Sequence, residues 1–476
     1  MKKITALFLA FLMVTGLAAG CSSARDSEIP TLKWYMVGNG KPANYASWKE
    51  KVDAYLENKI GVHLDIECVN WGDWGNRRNV IVQTNEPYDL MFTDMASYAG
   101  DVAMGAFADL SELNQDGSWL KEVMPQTYID GCLINGRLYA VPTYKDSSMT
   151  NFFVWTKKNA EEYFPRYADC HSLEDITEGL RAIKAGTGIA PVLLDKNGIS
   201  CIISNKYDAM GLGNCGVGVS YTAAGAPRVV AVYEQPDVMA DLQTVHRWMQ
   251  DGLINADAAI LDNASGMCSL GIAQGWPSAS RGWGERRGAE VVAVQYGDTV
   301  VSNDTIQGSM TCISASSKHK EEALKLLELV NTDTWLRDAL AYGEEGVNFN
   351  YVEENGQKRV QRTEEDWALA AYTQGSFFCM TIEAGALSDY YVDEVAVQNE
   401  NAIVSPALGF SCDITNIADK IAACKATLEG YRSIIHTGTQ DPGIVVPELM
   451  TRLRADGIED IITEVQIQLD DYLAGR

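Results

Sequence analysis

The sequence predicts an α/β protein of two lobes with a helical C-terminal region, and three observations predict it. From Thr31 the chain reads strand, helix, strand, helix, strand, an order that calls for right-handed crossovers and a parallel sheet. After the hairpin signal "INGRLYAVP" a new strand and helix begin, and near "VSNDTIQGSMTCIS" the chain returns, so one unit is interrupted by another. Beyond the second hairpin signal, "FNYVEENGQKRVQR", roughly the last hundred residues carry helical spacing. A length of 476 residues allows two or three domains, and 46% hydrophobic with 21% charged residues is enough apolar material for a large core.

Taken in order, "MKK" followed by the apolar run Ile4 to Leu17 and then "LAAGC" reads as a secretory leader with a lipoprotein cleavage box. Cys21 is the expected lipidation site, at the outer face of the cell membrane, and "SSARDSEIP" a flexible tether. "LKWYMV" is a short apolar strand. "NYASWKEKVDAYLENKI" spaces Tyr45, Trp48, Val52, Tyr55 and Leu56 for a helix that Gly61 stops. In "VHLDIECV" the alternation of Val62, Leu64, Ile66 and Cys68 marks a strand. A helix is expected from about Trp74 to Gln83, followed by a strand in Tyr88 to Asp94.

Asn135 and Gly136 supply a type I′ turn before the chain crosses into the second lobe. That lobe holds "ITEGLRAIKAG", "APVLL" and a helix opened by Pro236 that points Val238, Leu242, Val245 and Trp248 inward. A strand in "ASGMCSLGIAQGWPS" stops at Gly275 and delivers Trp276 to a loop. On the return, "KEEALKLLELVNTD" sets Ala323, Leu327 and Val330 on one stripe. The expected division is a leader at 1–20, lipidated Cys21 and tether at 21–30, and a first lobe at 31–143. A second lobe at 144–305, a return at 306–345 and a C-terminal region at 346–476 packing on both lobes complete it.

The formal charge of −26, made two units more negative by loss of Lys2 and Lys3, argues against nucleic acid as a partner. Of 11 cysteines, ten remain beyond Cys21, with no CxxC pair and mostly in apolar stretches, which suits small buried residues with few or no bridges. The five histidines are too dispersed to nominate a metal, so neither metal nor cofactor is expected. No GxSxG elbow, HExxH or phosphate loop occurs, and no catalytic residue is assigned.

What remains is aromatic rings in polar, glycine-rich settings: "NWGDWGNRR" and "QGWPSASRGWGE". An indole stacked on the C–H face of a sugar, with Asp, Asn and Arg around it, recognises a neutral polyol. Trp48 and Trp248 lie on helical stripes and read as core. Trp71 is read as bordering a cleft and Trp74 as packing inward. Asn39, Trp71, Thr93, Asp94 and Tyr98 follow strand ends, where α/β sheets place ligand-facing groups. Trp276 is the best ring candidate, with Tyr98, Tyr144 and Phe410 next. Asp94, Lys145 and Asp146 are the polar candidates, a helix cap being the plain alternative for Asp94.

The lipobox, "EPYDLMFTD" with "GAFADLSEL", "INGRLYAVPTYK", "WMQDGLINADAA", "GIAQGWPS", "YGEEGVNF" and "SPALGFSCDITNIADKIAAC" through "EVQIQLDDYLAG" stand in a telling order. In that order the chain resembles an extracellular solute-binding protein (family 1 type) of ABC importers, a LipO-like lipoprotein with a DUF3502-type C-terminal region. The resemblance implies a two-lobe periplasmic-binding-protein-like fold (type II) with crossing hinge segments. It also implies a carbohydrate, an oligosaccharide in the first instance, held between the lobes, and a monomer that delivers its ligand to permease subunits. In maltose-binding-type relatives similar places line the cleft, here Thr93 to Tyr98, Tyr144 to Asp146, and Trp276. The basic stretch "SRGWGERRG" has no place in that pattern. A lipid-anchored glycoside-processing enzyme and a binder of peptide or another polar solute are the rival readings.

Overall fold

The computed structural model describes residues 29–114, 118–264, 266, 268–386 and 388–475, so the leader and Cys21 lie outside the described residues. In the Thr31–Gly38 strand, Leu32 and Trp34 to Val37 are all buried, as expected of a central strand covered on both faces. It lies between His63–Asn70 and Leu90–Thr93, both parallel to it. Met310–Ile313 then joins antiparallel to Leu90–Thr93, and Ala140–Pro142 closes the five-stranded sheet. The Tyr45–Ile60 helix covers it with Trp48, Val52 and Leu56.

The next helix is Trp71–Thr84, starting three residues before its predicted beginning and directly at a strand end. Gly72 and Gly75 weaken helix propensity there, but burial of Trp74 and Ile81 against the sheet outweighs them.

The second sheet runs in the order Leu270–Gln274, Met149–Thr156, Val291–Val301, Ile403–Val404, with Met149–Thr156 antiparallel to both of its neighbours. Three segments connect the two sheets side by side. Thr143 N–H donates to Ser309 O at 2.9 Å, and Ser405 N–H to Val301 O at 2.8 Å. Each sheet has its own core. The Pro236–Gln250 helix buries Val238, Leu242, Val245 and Trp248 as its spacing demands, each aliphatic side chain worth about 1.5–3 kcal/mol of transfer free energy.

The C-terminal helices Ala418–His436, Pro442–Asp456 and Ile458–Ala474 insert Cys424, Leu428, Leu449, Leu453, Ile461 and Val465 into that second core, while Leu408 joins the first. The hairpin Phe349–Glu354 and Gln357–Arg362 turns at Asn355 and Gly356, both at positive φ. Among the described residues, no helix is long and apolar enough to cross a membrane.

Candidate functional site

The parallel strands of the first sheet end together, Gly38 opposite Asn70, so the residues that follow share one edge. Asn39 is exposed and its amide N–H donates to Ala368 O at 3.3 Å. Trp71, the first residue of its helix, is 44% exposed, with Phe92 edge-on at 5.7 Å. Tyr372, equally exposed, lies parallel to it at 6.1 Å and 1°. Two large parallel rings left open at a strand end form an exposed aromatic platform. Trp74 is buried against Phe92, as the sequence suggested. Asp94 is half-buried and its carboxylate accepts from Ala96 N–H at 3.1 Å, a local turn contact.

Four predicted site residues are buried in the core: Thr93, Tyr98, Phe410 and, at the first crossing, Tyr144. Thr93 is the last, fully buried residue of its strand. Tyr98 is fully buried, its hydroxyl donating to Cys132 O at 2.8 Å and accepting from Tyr139 N–H at 3.1 Å, so its polar end is already satisfied. Phe410 is buried in the second core against Tyr472, and its carbonyl accepts from Asn303.

At the first crossing, the buried Tyr144 ring stacks on Phe378 at 4.5 Å and meets Tyr128 edge-on at 4.9 Å. Lys145 and Asp146 are half-buried and paired at 3.3 Å. On the second sheet, Gly275 has φ 156°, and a Cβ there would come within 2.9 Å of the Trp283 ring. Only glycine allows the strand to turn so closely over Trp283, which packs on Phe152. That turn presents Trp276, half-buried and stacked on Tyr390 at 5.6 Å and 15°.

What joins these places is an irregular stretch, 367–401, which sequence reasoning did not single out. It starts beside the first sheet, bridging Gly38 at Leu369 and setting Tyr372 on Trp71. It passes the crossing, where Phe377 N–H donates to Tyr144 O at 2.9 Å and Asn399 donates to Lys145 O and accepts from Ser148. It then reaches the second sheet, where Gln398 donates to Gly275 O and Glu394 accepts from Ser278 N–H. Along it Phe378, Phe377, Tyr391 and Tyr390 make ring contacts of 4.5 to 6.2 Å, so aromatic contact is continuous from Tyr144 to Trp276. The only signal in the sequence was the paired rings "FF" and "YY" outside any periodic segment.

Two charged side chains of the Thr334–Tyr342 helix hold this strap. Arg337 is fully buried and donates to Ala371 O, Gln374 Oε1 and Ser376 O at 2.7, 2.8 and 3.1 Å. Burial pushes its guanidinium down to about 10. Next to it, Asp338 accepts from Thr381 N–H and Oγ1–H and from Tyr351 Oη–H. Burial raises that carboxyl, although these three donors oppose the shift.

Two cavities flank the Trp276 turn. One of about 510 Å³ lies between Trp276, the Ser280–Arg287 helix and the strap at Glu383 to Tyr390. The other, about 940 Å³, runs along the Leu270–Gln274 edge strand, and Gln274 and Arg286 line both. Rings, amides and hydroxyls of the strap and the crossing fit a hydroxyl-rich molecule; among the described residues, no group of three or more His, Cys, Asp or Glu could hold a metal ion.

Residues 406–474 match the family model described as a domain of unknown function, DUF3502. A carbohydrate ABC transporter substrate-binding protein of Streptococcus pneumoniae serotype 4 is 28% identical, the match covering 100% of this chain and 97% of the relative. The crystal structure of the N-glycan transport solute binding protein NgtS from Streptococcus pneumoniae is 27% identical with a TM-score of 0.85, over 94% of this chain and 99% of that one. Against NgtS in complex with Man5GlcNAc, over the same shares, the TM-score is 0.72. A human-milk-oligosaccharide (HMO) binding solute-binding protein from Bifidobacterium longum infantis, 15% identical with a TM-score of 0.65 over 94% and 99%, shares the fold. Two sheets with separate cores, the segments that connect them and similarity over the full length make this chain similar to the solute-binding proteins of ABC importers, and its residues 406–474 match DUF3502.

Proposed function

We propose that this protein captures a carbohydrate, an oligosaccharide, between its lobes and hands it to membrane permease subunits, without any catalytic step. The observation that carries this reading is the aromatic path from Tyr144 to Trp276, together with the open Trp71–Tyr372 platform. Stacked rings bind the C–H faces of sugars, while Asn39, Asp94, Lys145 and Asp146 supply hydrogen bonds to hydroxyls. Because Trp71 sits on the first lobe and Trp276 on the second, a sugar touching both favours the closed arrangement by its difference in affinity for closed and open forms. The monomer is tethered at the outer face of the cell membrane through lipid on Cys21. The full-length similarity to a carbohydrate substrate-binding protein supports the ligand class.

Isothermal titration of the mature chain against mono- and oligosaccharides, peptides and amino acids tests the proposal. Oligosaccharides should bind, without turnover by chromatography, and Trp276→Ala should weaken them by about 1–3 kcal/mol. Binding confined to peptides, or hydrolysis of the bound saccharide, would overturn it.

A further inference from the structure

The carbohydrate reading leaves one feature unexplained, the guanidinium groups of "SRGWGERRG" in a chain of net charge −26. The Ser280–Arg287 helix carries three arginines, and their surroundings differ. Arg281 is committed, its Nε on Glu285 at 3.1 Å and its Nη1 on Gly385 O at 2.7 Å. Arg287 donates from Nη1 to Val154 O at 2.9 Å and rests against the edge strand, where a Cβ at Gly271 would come within 2.0 Å of its Nη2. The missing side chain at Gly271 is thus what lets a guanidinium rest in the larger cavity.

Arg286 makes no hydrogen bond or ion pair with any described residue, and it is a wall of both cavities. Of the carboxylates on those walls, Glu285 is taken by Arg281 and Glu383 by Arg362 at 2.9 Å. Only Asp195, whose Oδ1 accepts from Asn197 N–H, is left against Arg286 and Arg287. A surplus of positive charge is therefore concentrated where the two cavities meet.

Cations near a helix C-terminus are favoured by the helix dipole, which would account for Arg286 alone. It does not account for Arg287, whose Nη1 is spent on a strand carbonyl while Gly288 N–H closes the helix end on Gly284 O and Glu285 O. Hydroxyl groups are served by amides and carboxylates; a planar guanidinium with free donors matches a carboxylate, which it binds through two parallel hydrogen bonds.

We infer that the saccharide bound at this site carries a carboxylate, read by Arg286 and Arg287 where the cavities meet at Gln274. The inference rests on the carbohydrate reading and narrows it to acidic oligosaccharides long enough to pass from the Trp276 cavity into the larger one.

The test is titration calorimetry on the mature chain at low ionic strength with two matched pairs. These are a galacturonic acid tetramer with its carboxyl-reduced form, and a sialylated oligosaccharide with its desialylated form. In at least one pair the acidic member should bind about 10-fold tighter or more, with the preference shrinking as salt is added. Arg286→Gln, at an exposed position, should abolish most of that preference, lowering the acidic member's affinity far more than the neutral member's. The double variant with Arg287→Gln should remove the remainder. Equal or tighter binding of the neutral member in both pairs overturns the inference while the carbohydrate reading stands. Failure of all four saccharides to bind, with binding of a peptide, removes both.

Discussion

Replacing Arg337 by Met tests whether the strap that carries half of the proposed site is held by one buried cation. The side chains have similar reach, so the change leaves little void, and its main effect is to strip donors from Ala371 O, Gln374 Oε1 and Ser376 O. Each acceptor left buried and unpaired costs about 1–3 kcal/mol. Against that total stands relief of the desolvated cation, a burden of several kcal/mol whose sign is visible in the lowered guanidinium pKa. The net expectation is a loss of about 2–4 kcal/mol, concentrated in the strap because all three acceptors lie there.

Hydrogen exchange reads this directly. Ser376 N–H donates to Asn331 Oδ1, Phe377 N–H to Tyr144 O and Thr381 N–H to Asp338 Oδ1. These amides should exchange roughly 100-fold faster in Arg337→Met, while amides of the Thr31–Gly38 strand keep their protection. Oligosaccharide affinity should fall with them, since Tyr372 and Phe377 lose their backing. Unchanged protection at all three amides, with a fall in global stability alone, would show that Arg337 is an ordinary core residue and that the strap is held by something else.

Tyr372→Ala should weaken oligosaccharide binding roughly 3- to 10-fold while moving the urea midpoint little, because the ring is 44% exposed and its removal opens no core cavity. Titration calorimetry showing unaltered affinity would dismiss the Trp71–Tyr372 platform. Asp304, in the segment returning to the first lobe, has a buried Oδ1 without a hydrogen-bond partner. Burial first, then the charge of Asp208, raise its carboxyl to about 7, with the Gly211 backbone and then Lys425 opposing. A folded pKa above the unfolded value means that the charged form is penalised in the fold. Its contribution therefore makes stability fall as pH rises from about 4 to about 7 and level off above. Asp304→Asn should flatten that slope and add about 1–3 kcal/mol near pH 8. Urea titrations near pH 5 and pH 8 with the same slope in both proteins would refute the assignment.

The regular elements were legible because each rests on a local period. Pro236 opens a helix whose Val238, Leu242, Val245 and Trp248 all reach the core, and Asn135–Gly136 turns a hairpin with both residues at positive φ. Strand ends were legible too, but a strand end fixes a neighbourhood and not a direction. Side chains alternate across a sheet and swing by about 100° per residue once a helix begins, so Thr93 and Tyr98 fall inward while Asp94 and Trp71 remain at the edge. Nothing short of the packed sheet chooses between them.

The strap was invisible for a different reason. Its conformation is set by Arg337 and Asp338, adjacent residues in "TWLRDALAYG" that a reader places in solvent because charged side chains are almost never fully buried unless paired. Here both are buried, and apart from Tyr351 their partners are backbone and side-chain groups of 371–381, more than thirty residues away and without periodicity. The arrangement satisfies irregular backbone that has no ladder of its own, which is the condition under which loop rings can be held firmly enough to line a site. The aromatic residues a sequence reader misses are thus those whose order depends on polar groups elsewhere in the chain, and in this fold they run from Tyr372 to Tyr391.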